Sequence, residues 1–269
     1  MVRSILGIFL AASVVVACST NPITGRKQLS LVSEAELQSM ANQQYRQMLS
    51  QSNVVSPSRD KDAEMVRRVG NRIANAVTTY YKQQGLSNVL QGYKWEFTLI
   101  RDNAANAWAM PGGKVAIYTG LLPITRNEAA LANVMGHEIS HALFQHGNER
   151  MSQGLATQGL GTGLAVALAN KPAATQNIFM QAFGIGSSVG VLLPFSRKQE
   201  LEADRYGMIW AAMAGYNPRE AIALWDRMEA ASNGNRPPEF LSTHPAEGKR
   251  RSQLERYLPE ALKYYKPRQ

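Results

Sequence analysis

Polar and apolar residues alternate along this chain with two different periods. Met65, Val66, Val69, Ile73, Val77 and Tyr80 recur at helical spacing and predict a long helix over about 60–84. Ser33 and Glu36 form a capping box that opens an earlier helix running to about Gln51. From Tyr93 to Arg101 the period drops to two: Trp95, Phe97 and Leu99 alternate with Glu96 and Thr98, as in a half-buried strand. A second strand is expected over 114–119, after the Pro111-Gly112-Gly113 turn, and the two strands suggest an antiparallel ribbon. Thr125 to Glu128 reads as another capping box. It opens a helix carrying Val134, Met135, Ile139, Leu143 and Phe144, with Gly147 as its stop. The stretch 151–193 is rich in small residues and predicts a hairpin of two helices, either closely packed or acting as a lid.

The 125–147 helix contains His137-Glu138-Ile139-Ser140-His141. Residues four apart share a helix face, so both imidazoles can aim at one zinc ion. Glu138 can then reach a water on that metal as a general base. The same residues also fit an amphipathic helix with two core histidines. His146 falls about half a turn out of phase and should face away from the metal. Phe144 and Gly147 stand where a metzincin would have its glycine and third histidine, which excludes that class.

A catalytic zinc needs a third protein ligand and one open position. Glu200 is a candidate. Asp204, one turn on, can accept the outer N–H of a ligand histidine. Glu202, about 200° round the helix from Glu200, should point elsewhere. Alone, Glu200 and Asp204 would read as a solvated charged face; after the His-Glu-x-x-His helix they complete a site.

Composition changes little in this picture. The net charge is +9, with normal apolar content, so the bulk is globular. No zinc-finger spacing or arginine-rich tract is present, so nucleic acid is not an expected partner. The N-terminus adds more. Arg3, the apolar run 5–17 and then Cys18, the only cysteine, describe a secretory signal ending in a segment that resembles a bacterial lipobox. Three segments are expected: a signal peptide at 1–17, a lipidated N-terminus and linker at 18–32, and a catalytic domain at 33–269. Cys18 would carry a membrane anchor, and Ser19 after it suggests the outer membrane, facing the periplasm.

The ordered set of Asn106–Gly113, Tyr118–Leu121, His137–His141, Glu200–Asp204 and Thr243-His244-Pro245 resembles the zinc metallopeptidases related to CAAX prenyl protease. The similarity is strongest to the secreted bacterial lipoprotein branch and the mitochondrial Oma-type proteases. The resemblance implies a mainly α-helical α+β gluzincin domain with a small antiparallel sheet beside the metal helix. It implies one Zn2+ per chain held by His137, His141 and Glu200, with Glu138 as base and Asp204 orienting a ligand. It implies that the strand Asn106, Ala107, Trp108, Ala109 and Met110 is a substrate edge, where the residues alone favour plain packed sheet. His244 would either block the open zinc position or stabilise the oxyanion, and Arg250 would assist or cap a carboxylate. The expected function is a zinc endopeptidase of the bacterial cell envelope that degrades misfolded or stalled envelope proteins. The alternative is a chaperone-like lipoprotein assisting outer-membrane protein assembly, with latent protease activity.

Overall fold

The computed structural model describes residues 18–157, 172–185, 195–232, 238–245 and 250–267. The expected signal peptide therefore lies outside the described residues, as does most of the expected 151–193 hairpin. Its described parts belong to two helices that pack on each other, His146–Thr157 (α5) and Pro172–Ala182 (α6).

The fold is α+β and mainly helical. The capping box at Ser33 forms as read, with Glu36 N–H donating to Ser33 Oγ and the Glu36 carboxylate accepting from Ser33 N–H. It starts helix α1, Glu34–Gln51. Helix α2 spans Lys61–Gln83, capped by Asp60, and buries Val66, Val69, Ile73, Val77 and Tyr81.

A four-stranded sheet lies between these helices. Its strands are β3 (Val54–Val55), β4 (Glu96–Ile100), β5 (Ala107–Met110) and β6 (Lys114–Tyr118), in the order β3-β4-β6-β5. Here the expected ribbon needs correcting. β4 pairs with β6 in parallel, and β6 takes β5 as its antiparallel partner. The reason is the turn. Gly112 and Gly113 both sit at positive φ (76° and 85°), a conformation cheap only for glycine, and they fold β5 tightly back onto β6. β4 is left the other side of β6. β5 becomes an edge strand: Ala107 and Ala109 face the α2 side, and Trp108 and Met110 face α1.

The metal-motif helix, α4, spans Glu128–Leu143, and every residue from Ala130 onward is buried. The expected cap at Thr125 is displaced. Leu122–Thr125 forms its own short helix, α3, with Pro123 in its first turn, and the chain then reverses at Arg126 (φ 65°). Asn127 becomes the cap, accepting from Ala130 N–H at 2.8 Å. Nor does Gly147 end α4. The break comes at Gln145 (φ 55°), and Gly147 lies inside α5, where an added Cβ would fall 2.1 Å from the Phe183 ring.

Helix α7, Arg197–Met213, crosses α4 and makes the most extensive packing between any two elements among the described residues. Helices α8 (Glu220–Ser232), α9 (Phe240–Thr243) and α10 (Arg250–Leu262) close the far side.

Residues 18–32 form a small ribbon docked on α5. Cys18–Thr20 (β1) and Lys27–Leu29 (β2) pair antiparallel. The segment is docked by Leu31 N–H donating to Ser152 Oγ (2.9 Å) and Asn148 Nδ2 donating to the Val32 carbonyl (2.9 Å). These buried polar groups of α5 need partners, and the segment supplies them. No helix among the described residues is long and apolar enough to cross a membrane.

Candidate metal centre

Two helices bring the site together because both carry glycine where they cross. A Cβ on Gly136 would stand 2.6 Å from the Gly207 carbonyl oxygen, and one on Gly207 would stand 2.7 Å from the His137 nitrogen. The backbones therefore touch, and the side chains one and two turns along must point into a common space. His137 and His141 of α4 meet Glu200 and Asp204 of α7 there, all 4% exposed or less.

His137 Nε2 and His141 Nε2 lie 3.0 Å apart. Glu200 places Oε1 3.4 Å from His141 Nε2 and Oε2 3.6 Å from His137 Nε2. His244, at the end of α9, adds its Nδ1 at 3.2 Å from His137 Nε2 and 3.0 Å from Glu200 Oε1. These four residues offer ligand atoms within 4.8 Å of one another.

The arrangement fits a cation and little else. Asp204 Oδ1 lies 2.9 Å from His137 Nδ1, and a carboxylate can only accept, so that nitrogen carries the proton. His137 Nε2 then presents a bare lone pair to the group. Burial holds His141 well below its usual pKa and lowers His244 to about 4, so both rings are neutral at neutral pH and each has one nitrogen free to present a lone pair. Converging lone pairs and a buried carboxylate repel one another unless a positive charge sits between them.

The carboxylates are tuned apart. Burial opposes ionisation of Glu200, but His244 and the Arg250 guanidinium outweigh it and hold the group well below the usual range. Burial likewise opposes ionisation of Asp204, and Arg250 again prevails. Arg250 Nε and Nη2 bind Asp204 through both carboxylate oxygens (2.8 and 2.7 Å), and its Nη1 lies 2.6 Å from Glu200 Oε2. The guanidinium rests 3.5 Å above the Trp225 ring. Sequence spacing could not find this clamp, because Arg250 arrives on a third helix. Glu138 differs from both: burial, then the charge of Glu200, push it well above the usual carboxylate range. Its Oε1 is buried without a hydrogen-bond partner among the described residues, 3.4 Å from His244 Nε2.

The other residues singled out by the sequence fall around this group. Strand β5, with Asn106 just before it, lies at the sheet edge against α4. All five residues from Asn106 to Met110 are buried. His146 and Glu202 do point away from the four-residue group, but towards each other: His146 Nε2 lies 2.8 Å from Glu202 Oε2. Cys18 is exposed at the start of β1.

Residues 60–258 match Peptidase family M48. The chain belongs to that family. It is a metallopeptidase family that uses zinc, and the four-residue group is able to bind one such ion. The chain is 36% identical over 243 residues to the mitochondrial metalloendopeptidase OMA1 of Schizosaccharomyces pombe, covering 89% of this chain and 66% of that protein. It is 28% identical over 251 residues to the human metalloendopeptidase OMA1, covering 90% and 46%. It is 30% identical over 157 residues to the beta-barrel assembly-enhancing protease of Escherichia coli, covering 56% and 32%. The chain spans about a third to two thirds of the length of these relatives.

These relatives correct the expectation drawn from the N-terminus. Those that match nearly the whole chain are mitochondrial, whereas the Escherichia coli protein matches little more than half of it. The reading as a bacterial-envelope quality-control protease at the outer membrane is overturned, and the chaperone-like alternative is not favoured either. The lipid anchor at Cys18 and the envelope substrates draw no support from them either. The physical reason is the thinness of the signal. A basic residue, a short apolar run and four residues ending in cysteine carry little information, and site chemistry carries no compartment at all.

Proposed function

We propose that this chain is a zinc-dependent endopeptidase that cleaves polypeptides, with His137, His141 and Glu200 as the zinc ligands. The observation that carries this reading is the convergence of two proton-free imidazole nitrogens and an ionised carboxylate, with Glu138 Oε1, which has no hydrogen-bond partner among the described residues, beside them. Zinc, when bound there, supplies a Lewis acid that acidifies water and polarises a peptide carbonyl.

The chain's own residues do the rest. Glu138 takes the proton of the attacking water and returns it to the leaving amine. Asp204 fixes His137 in the tautomer that exposes Nε2, and Arg250 fixes Asp204. The edge strand over 106–110 aligns an extended substrate by main-chain hydrogen bonds, which demand little of its sequence. His244 occupies the position that a water needs, so this arrangement is the closed form of the site. The short α9 that carries His244 must shift to admit substrate. That reading is preferred to oxyanion stabilisation because His244 Nδ1 contacts two of the three ligands directly.

The test is cleavage of an unfolded protein by the full chain and by Glu138→Gln. The variant should retain one zinc per chain and lose cleavage. Equal cleavage by the variant would remove Glu138 from the mechanism.

A further inference from the structure

The two motif histidines are held from behind in different ways. His137 Nδ1 meets the Asp204 carboxylate directly, at 2.9 Å. His141 Nδ1 meets another ring instead: His146 Nδ1 stands 2.9 Å from it. The two rings meet edge-on, 4.9 Å between centroids and 74° between planes. His146 is completely buried, and its other nitrogen reaches Glu202 Oε2 at 2.8 Å.

Proton placement along this chain has one solution. His141 Nε2 faces the ligand group, so as a ligand it presents a lone pair there, and its Nδ1 carries the hydrogen. His146 Nδ1 must then accept. The hydrogen of His146 sits on Nε2, and it is donated to Glu202. Glu202 is itself pinned. Arg26 donates from Nε to both its oxygens, at 3.0 and 2.9 Å. Arg26 also donates from Nη1 to Glu149, which in turn accepts from Gln199 Nε2 (2.8 Å), one residue before Glu200. Arg26 belongs to the turn between β1 and β2, so the far end of the relay is anchored in the N-terminal ribbon.

We propose that His146 is a positioning residue of the zinc site, relaying the Glu202 carboxylate to the ligand His141, with Arg26 of the N-terminal ribbon anchoring the relay. This rests on the zinc reading given above and extends it. It makes residues 18–32 part of the metal-holding apparatus. It also accounts for why His146, fully buried, and Glu202, partly exposed, both turned from the metal, meet behind a ligand. A carboxylate behind a ligand histidine fixes ring orientation and raises its basicity. Here that influence passes through a second imidazole.

The test is zinc affinity of the purified full chain, by competition with a chromophoric chelator, together with the visible spectrum of the Co2+-substituted protein. His146→Leu should weaken zinc binding about 10- to 100-fold and shift the Co2+ bands. His146→Gln should recover much of the loss, because its amide oxygen can accept from His141 while its NH2 donates to Glu202. Glu202→Ala, at the partly exposed end of the relay, should weaken zinc binding in the same direction, and it carries the test alone if His146→Leu does not fold. Wild-type affinity and an unchanged Co2+ spectrum in His146→Leu, or in Glu202→Ala, would overturn the relay and leave the zinc endopeptidase standing. A wild-type chain that binds no zinc would overturn that reading itself.

Discussion

Gly136 and Gly207 lie back to back, and the position of the metal centre follows from their contact. An alanine at Gly207 would put its Cβ 2.7 Å from the His137 nitrogen and 3.0 Å from its Cα. Both obstacles are backbone atoms of a helix buried from Ala130 onward, so the helices must separate. Overpacking of this kind costs about 1–3 kcal/mol. Gly207→Ala should lose stability on that scale in urea unfolding, and zinc affinity should fall with it, because Glu200 moves away from both imidazoles. Unchanged zinc affinity in a folded Gly207→Ala protein would contradict this account of the crossing.

His244 sets the second expectation. If zinc bound with His244 as a fourth donor beside His137, His141 and Glu200, no vertex would be left for water. His244→Ala should raise cleavage of an unfolded substrate several-fold while keeping one zinc per chain. A large fall in kcat with unchanged KM would identify His244 as an oxyanion stabiliser instead.

These two expectations differ in how far they were legible in the sequence. His137, Glu138, His141, Glu200 and Asp204 were readable because each sits on a regular helix, where a spacing of four fixes a common face. The capping box at Ser33 and the stripe of α2 were readable for the same local reason. What escaped depends on breaks and third parties. His146 cannot be placed by continuing the α4 wheel, because the chain leaves that helix at Gln145, at positive φ. The parallel pairing of β4 with β6 escaped because alternation reveals a strand but not its neighbour. Arg250 was reached only through the family resemblance, which left open whether it assists or caps a carboxylate, because its spacing from the motif says nothing; the contact of Arg26 with Glu202 escaped because the two lie far apart in the chain. The compartment escaped for a different reason: no packing or site chemistry encodes it.

Removing the metal should be felt by the whole domain. Chelation leaves a buried group of imidazoles and carboxylates without a counter-charge. Thermal stability should fall on stripping and return on adding zinc, by about 2.7 kcal/mol when free zinc is 100 times its Kd. Asp204→Ala should weaken zinc binding about 10- to 100-fold and reduce that recovery at the same free zinc. Identical melting curves with and without chelator would contradict the proposed ligand set.

Stability should also depend on pH through Glu34, far from the metal. Burial raises its carboxyl from 4.5 to about 7, with one oxygen unpartnered among the described residues and the other accepting from Gln38. The folded chain therefore binds this proton more tightly than the unfolded chain does. Its contribution is fully present below about pH 4.5 and is lost as pH rises through about 7. Between those limits Glu34→Gln should show a shallower decline than the wild type, and it should melt higher at pH 8. Parallel declines in the two proteins would contradict this.

The central claim is that residues from α4 and α7 hold one zinc ion between them. Anomalous diffraction at the zinc absorption edge, from crystals of the full chain loaded with zinc, tests it most directly. The account predicts a single strong peak within bonding distance of His137 Nε2, His141 Nε2 and a Glu200 carboxylate oxygen. A peak lying elsewhere, with the Glu200 carboxylate turned away from both imidazoles, would contradict it.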